Sequence, residues 1–137
     1  MATQSERGGR ADGFSELIGV EHLDAPAGEA RGRVAVTDAL LQPFGIVHGG
    51  VYASLAETLT SHATWVAVRD EGFVAMGQSN QTSFVRPISS GHVNAVASAR
   101  HRGRTTWVWD VELSDDEGRL CALVRMTVAV RKPPEQR

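Results

Sequence analysis

Gln42-Pro-Phe-Gly-Ile-Val-His-Gly-Gly50 leads directly into Val51-Tyr-Ala-Ser-Leu-Ala-Glu-Thr-Leu-Thr-Ser-His-Ala-Thr-Trp-Val-Ala67. The first part cannot be regular structure, because Pro43, Gly45, Gly49 and Gly50 punctuate it. The second part reads as one long helix. Tyr52, Leu55, Ala56, Leu59, Ala63, Val66 and Ala67 recur at spacings of three and four and form one apolar stripe. Ser54, Glu57, Ser61 and Thr64 are placed on the opposite face. Glu57 is the only acid of the helix. Where other surface helices carry several charges, its neighbours are Ser and Thr, which predicts a shielded, partly buried carboxylate of raised reactivity. A glycine loop feeding a helix start also offers free N–H groups at the positive end of the dipole. A developing oxyanion could be stabilised there.

The segments on either side give the layer that the helix packs against. Phe14 to Asp24 reads as a helical turn leading into a strand, and Ala25-Pro-Ala-Gly28 as a turn. Glu29 to Thr37 alternates, with Ala30, Gly32, Val34 and Val36 on one face. The helix is expected over about 50–69, ended by Asp70-Glu-Gly72. Beyond it the period changes from 3.6 to 2. Extended runs are expected at Phe73–Phe84, Gly91–Arg100, Thr105–Leu113 and Leu120–Val130. Turns are expected at His101-Arg-Gly-Arg104 and Ser114-Asp-Asp-Glu-Gly118. One long helix against an antiparallel sheet joined by hairpins is an α+β arrangement. The chain divides into an arm at 1–13, one domain at 14–131 and a tail at 132–137.

Composition narrows the function. The chain has 137 residues, 42% hydrophobic and 22% charged, with a net charge of −2. That is one ordinary globular domain, without a pull toward nucleic acid. The lone Cys121 excludes a disulfide framework and a zinc site of several thiolates. No apolar run reaches membrane-spanning length, and the first residues lack the apolar middle of a signal peptide. A cytoplasmic location is expected. No serine-hydrolase elbow, P-loop or dinucleotide fingerprint is present. His48 reads as a loop-holding residue with a secondary part at the site, whereas His62 and His92 read as structural or surface, and His22 and His101 carry no indication. Trp107 and Trp109 face one side of a strand and read as packing. Asp115, Asp116 and Glu117 read as a turn and not as a metal site. Arg86, Arg100, Arg102 and Arg104 form either a solvated rim or a phosphate clamp.

These residues together resemble the hotdog-fold acyl-CoA thioesterases, in which a long helix is wrapped by a curved antiparallel sheet. The resemblance is to the PaaI-like branch, and within it to the Arthrobacter-type 4-hydroxybenzoyl-CoA thioesterases. It rests on Gly45-Ile-Val-His-Gly-Gly-Val-Tyr52, Leu55-Ala-Glu57, Gly77-Gln-Ser-Asn-Gln-Thr-Ser-Phe84, Arg86-Pro87, Gly91-His-Val93, Thr105-Thr-Trp107, Trp109-Asp110 and Gly118-Arg-Leu-Cys-Ala122. It covers about 15–131.

The resemblance implies that Glu57 attacks the thioester carbonyl or activates water, while the Gly49 N–H polarises that carbonyl. Gln42 would assist at the thioester, and His48 would hold the loop and line the site. Ser61 stands where this branch has a threonine that orients carboxylate and water; it keeps the hydroxyl and loses a methyl. Arg86 and Thr105 would contact the CoA nucleotide. Arg104 replaces a serine, and Pro133-Pro134 replace a basic tail, so a phosphate contact would move to Arg102 or Arg104. The resemblance further implies an acyl-CoA substrate, no metal or cofactor, and a homo-oligomer. That oligomer would be a dimer at least, or a tetramer of paired dimers, with Glu57 of one subunit facing Gln42 and Gly49 of its partner. Phenylacetyl-CoA or 1,4-dihydroxy-2-naphthoyl-CoA hydrolysis, and a non-catalytic CoA or acyl-carrier binding module, are the alternatives. A dehydratase is disfavoured.

Overall fold

The computed structural model describes residues 13–134. The expected arm at 1–12 lies outside the described residues, as does the end of the tail from residue 135; Gly13 belongs to the first helix. The elements are α1 (Gly13–Ile18), β1 (Val20–Leu23), β2 (Glu29–Ala35), α2 (Gly49–Val68), β3 (Val74–Phe84), β4 (His92–Arg102), β5 (Thr106–Ser114) and β6 (Leu120–Arg131). Short 3₁₀ turns at Asp38–Leu40 and Arg69–Glu71 flank α2. The six strands form one antiparallel sheet in the order β1-β2-β4-β5-β6-β3. This is the wrapped-helix α+β architecture.

The expected β4–β5 turn is displaced. β4 continues through His101 and Arg102, and a register shift between Ala99 and His101 absorbs Arg100 as a bulge. Further shifts fall between Gly77 and Ser79 in β3 and at Leu113/Ser114 in β5. Bulges sharpen local twist, which lets a sheet curl around a helix.

The inner face of α2 differs from the expected stripe at its C-terminal end. Tyr52, Leu55, Ala56 and Leu59 are buried, but Val66 and Ala67 are exposed, and Thr60 and Thr64 take their place in the core. Thr64, assigned above to the polar face, is fully buried. Both threonines can be buried because each hydroxyl is satisfied within the helix. Thr60 Oγ1 donates to Ala56 O at 2.8 Å, and Thr64 Oγ1 donates to Thr60 O at 2.7 Å. Thr64 Oγ1 also accepts the Trp109 indole N–H at 3.0 Å. Trp107 and Trp109 are both buried and stack at 6.1 Å, as packing residues. On the same sheet face, packed against α2, Val34, Val93, Ala95, Ala97, Val111, Leu113, Val124, Met126 and Val128 close the core. Gly72, at φ 84°, ends the 3₁₀ turn in the left-handed region and redirects the chain into β3.

The acidic turn after β5 is structural. Asp115 Oδ1 accepts the N–H groups of Arg119 (2.9 Å) and Glu117 (3.0 Å), and its Oδ2 accepts Arg119 Nε at 2.7 Å. The Arg119 N–H above all, with the Arg119 side chain and the Glu117 N–H, holds the Asp115 carboxyl below its ordinary range against partial desolvation. A depressed folded-state pKa gives stability that is present above the unfolded value and lost as pH falls through the folded one. Tm of the wild type is therefore expected to drop more steeply than that of Asp115→Asn between about pH 5 and pH 2. Parallel Tm–pH curves would refute this role.

Candidate active site

The loop before α2 is built to present the start of that helix. Leu41 and Val47 form an isolated bridge, Gln42 N donates to Ile46 O at 2.8 Å, and Gly45 turns the chain at φ 80°. Val47 N donates to Ile88 O at 2.8 Å, and His48 N donates to Leu40 O at 2.9 Å. His48 then caps the helix: its Nδ1 accepts Gly50 N–H at 2.9 Å, and its carbonyl accepts Val51 N–H at 3.0 Å. Among the described residues the N–H of Gly49 has no acceptor. A Cβ at Gly49 would lie 2.7 Å from Phe84 Cζ, so any larger residue there would have to displace the exposed phenyl ring of β3. The Gln42 side-chain oxygen accepts the Phe44 N–H.

Glu57 lies two turns further along α2. It is exposed in the single chain, contrary to the shielded carboxylate expected from its Ser and Thr neighbours. Ser54 and Ser61 line cavities instead of packing over the carboxylate, and Thr64 faces the core. The carboxyl group rests on the backbone of β3 at its bulge. A Cβ added at Gly77 would sit 3.1 Å from Glu57 Cδ and 3.2 Å from its Oε1. Just beyond, Asn80 Nδ2 donates to Ala53 O at 3.0 Å and Thr82 Oγ1 to Asn80 Oδ1 at 2.7 Å, which pins β3 to the helix. On the other side, Ser15 and Thr58 hydroxyls bond at 2.7 Å and tie α1 across α2.

Two cavities open beside Glu57, of about 350 Å³ and about 490 Å³. Phe14, Glu57 and Thr58 line both. The first also takes in Ser61, whose Oγ is buried and has no hydrogen-bond partner among the described residues. The carboxylate and an orphaned hydroxyl one helical turn apart thus face the same space. Gln42, His48 and Gly49 line neither cavity. Gly49 is eight residues from Glu57 on one helix, a rise of about 12 Å. One carbonyl cannot meet both groups of a single chain.

The basic residues are also divided. Arg102 lies over the Trp107 ring at 5.5 Å, beside Arg104 and Thr105 at the β4–β5 tip. Arg86 follows β3, whose end Phe84 pairs with Ala122, whereas Thr106 pairs with Ala129. Those pairings are about 24 Å apart along β6. Arg100 is committed to Asp110 at 3.4 Å. Cys121 is fully buried, and that burial, first of all, pushes its thiol up.

Over residues 44–122 the sequence matches the profile of the Thioesterase superfamily. The chain belongs to this family. Thioesterase PA1618 of Pseudomonas aeruginosa is 44% identical over 89 residues, which are 65% of this chain and 61% of that protein. Protein Rv1847 of Mycobacterium tuberculosis is 39% identical over 80% of this chain and 79% of its own length. The proofreading thioesterase EntH of Klebsiella pneumoniae is 35% identical over 82% of both. The crystal structure of a PA1618 variant superposes with a TM-score of 0.86, covering 95% of this chain and 94% of that one at 32% identity. This is a hotdog-fold thioesterase, an enzyme that hydrolyses thioesters.

The site of this thioesterase contains more than the sequence indicated. His22 and His62, set aside above, stand on the wall of the first cavity with Trp65 and Phe14. Their rings are 4.8 Å apart. The one available clue was that His62 follows Ser61 on the helix. The place of Gly77 under Glu57 yields a direct test. Gly77→Ala is expected to push the carboxyl aside and lower kcat about ten- to a hundredfold, with stability changed by no more than about 1 kcal/mol. An unchanged kcat would show that the bulge does not position Glu57.

Proposed function

We propose that this thioesterase hydrolyses an aromatic acyl-CoA of the 4-hydroxybenzoyl-CoA kind to the free acid and CoA. The observation that carries this reading is the Glu57 carboxylate standing with the orphaned Ser61 hydroxyl at a small cavity walled by aromatic rings. A space of about 350 Å³ suits a single aryl group better than a long acyl chain. The relatives include a 1,4-dihydroxy-2-naphthoyl-CoA hydrolase of Listeria monocytogenes, an enzyme named for an aryl-CoA substrate.

In the reaction, Glu57 attacks the thioester carbonyl or takes a proton from the water that does. The carbonyl oxygen becomes an oxyanion, held by a Gly49 N–H. The C–S bond then breaks and the thiolate of CoA leaves, taking up a proton; where Glu57 itself has attacked, water then cleaves the mixed anhydride formed on its carboxylate, releasing the free acid and restoring Glu57. Ser61 orients the carboxylate and the water. Because Gly49 of the same chain is too far from Glu57, the donor comes from a second copy, together with its Gln42. Two copies would join through the free edge of β3, forming a dimer that pairs again into a tetramer. Solved structures of a Staphylococcus aureus thioesterase carry substitutions of a glutamine and a glutamate fifteen positions apart, the separation of Gln42 and Glu57 here. Arg86 from one end of the sheet and Arg102, Arg104 and Thr105 from the other would hold the CoA phosphates across that junction. His48 keeps the loop in register. We place the enzyme in the cytoplasm, where acyl-CoA is made.

Thiol release from benzoyl-, 4-hydroxybenzoyl-, phenylacetyl-, 1,4-dihydroxy-2-naphthoyl-, short-chain and long-chain acyl-CoA tests the substrate class. Aryl thioesters are expected to have the highest kcat/KM. Faster turnover of long-chain acyl-CoA, or CoA binding with no thiol released, would overturn the proposal.

A further inference from the structure

We infer that Asn80 and Thr82 of β3 are positioning residues for hydrolysis: acting through Ala53, they hold the turn of α2 that carries Glu57. This rests on the reading of Glu57 as the hydrolytic carboxylate. Cross-strand register sets Gly77, Asn80 and Thr82 opposite the buried Val128, Met126 and Val124, so all three are on the sheet face that packs against α2. On β4 and β5 that face is apolar, with Val93, Ala95, Ala97, Trp107, Trp109, Val111 and Leu113 all buried. Asn80 and Thr82 break the rule together, and packing alone gives no reason for an amide and a hydroxyl there.

Their hydrogen bonds run in one direction. Thr82 Oγ1 donates to Asn80 Oδ1 at 2.7 Å, which turns the amide nitrogen toward the helix, and Asn80 Nδ2 donates to Ala53 O at 3.0 Å. Ala53 O is also the helical acceptor of the Glu57 N–H, four residues on, and a carbonyl oxygen has a second lone pair to offer. The Asn80 amide and the Glu57 backbone thus share one acceptor. At the other end of the same turn the Glu57 carboxyl group lies over Gly77, where an added Cβ would be 3.1 Å from Cδ. The register shift between Gly77 and Ser79 brings both contacts to the inner face although they are three residues apart. One strand therefore grips one helical turn at two points, and the turn can neither slide along β3 nor rotate over it. Asn80, Thr82 and Glu57 also line the larger cavity together, so the clamp stands at the site.

The test follows thiol release from the fastest thioester of the acyl-CoA panel, with Tm and oligomeric state measured for every variant. Asn80→Leu is close in size but donates nothing to Ala53 O. It is expected to lower kcat about ten- to a hundredfold, the cost of a displaced reacting group, with Tm little changed and KM within about twofold of the wild type. Thr82→Val is expected to lower kcat by less, and Thr82→Ser, which keeps the hydroxyl, to match the wild type. In a Glu57→Gln background Asn80→Leu is expected to cost nothing further, because its effect passes through the carboxylate. A general loosening of the fold would lower Tm and the residual rate alike, and a direct contact with substrate would raise KM. Either result, or an unchanged kcat in Asn80→Leu, overturns the inference. If Asn80→Leu does not fold, Thr82→Val and Thr82→Ser decide the matter, and equal kcat values overturn it. If Glu57→Gln is inactive while Asn80→Leu keeps the wild-type rate, this inference alone falls. If Glu57→Gln keeps full turnover, or no thioester of the panel is hydrolysed, the hydrolytic reading falls and takes the inference with it.

Discussion

Leu59→Ala is expected to cost about 2–5 kcal/mol of folding stability, a fall in Tm of roughly 10 °C for a domain of this size. Leu59 is 1% exposed at the centre of the inner face of α2. Its methyl groups reach the backbone of β2, where a Cβ added at Gly32 would lie 2.6 Å from Leu59 Cδ2. The sheet is already curled around this contact, with strands fixed by their hydrogen bonds, so it cannot collapse into the space left by a removed isobutyl group. Val66→Ala on the same helix is the companion measurement. Val66 is exposed, and its truncation is expected to change stability by less than about 0.5 kcal/mol. Comparable losses from both variants would contradict the described orientation of α2.

That pair of residues also marks the limit of what periodicity conveys. The existence of α2, the strand alternation at Val93, Ala95 and Ala97, and the hairpins were legible because each follows from a local pattern of apolar residues and turn formers. The phase of the second half of α2 was not. Alanine is compatible with either face, and threonine counts as polar until its hydroxyl is seen to bond Ala56 O or Thr60 O of its own helix. Hydropathy therefore ranked Val66 above Thr64. The packing reversed that order, since Thr64 also satisfies the indole of Trp109. The end of β4 was misread for a related reason. Gly103 marks the turn correctly, but a bulge at Arg100 lets the strand run on to Arg102, and such a register shift leaves no trace in alternation.

Glu57→Ala is expected to lower kcat by about 10³-fold or more, the range of a lost nucleophile or general base, with Tm unchanged. The large effect on rate follows from geometry. The carboxyl lies against Gly77 at the opening of both cavities, where it can meet a thioester carbonyl. The small effect on stability follows from exposure, because the side chain fills no core space. A fall in Tm of several degrees with modest loss of rate would instead make Glu57 a structural residue.

The candidate site was legible only where its residues share a segment. Glu57, Ser61 and the His48-Gly49-Gly50 helix start could be identified from one helix and its preceding loop. His22 could not be joined to His62, nor Phe14 to Glu57, because the curl of the sheet brings α1 and β1 over a helix forty residues later. The exposure of Glu57 was misjudged as well. Ser and Thr neighbours suggested cover, whereas in this chain Ser54 and Ser61 line open cavities and Thr64 turns into the core. The rise of about 12 Å along the helix from Gly49 to Glu57 is the reason that the proposed chemistry needs paired copies.

Single-turnover thiol release from 4-hydroxybenzoyl-CoA, with wild type and Glu57→Gln both in excess over substrate, addresses the assignment of the chemistry most directly. Binding of the same thioester is measured on the same samples. Rapid release by the wild type and a loss of about 10³-fold in Glu57→Gln, with binding and Tm preserved, is the outcome expected of a helix-borne carboxylate acting on a bound thioester. Equal release by both proteins would contradict it and remove Glu57 from the reaction.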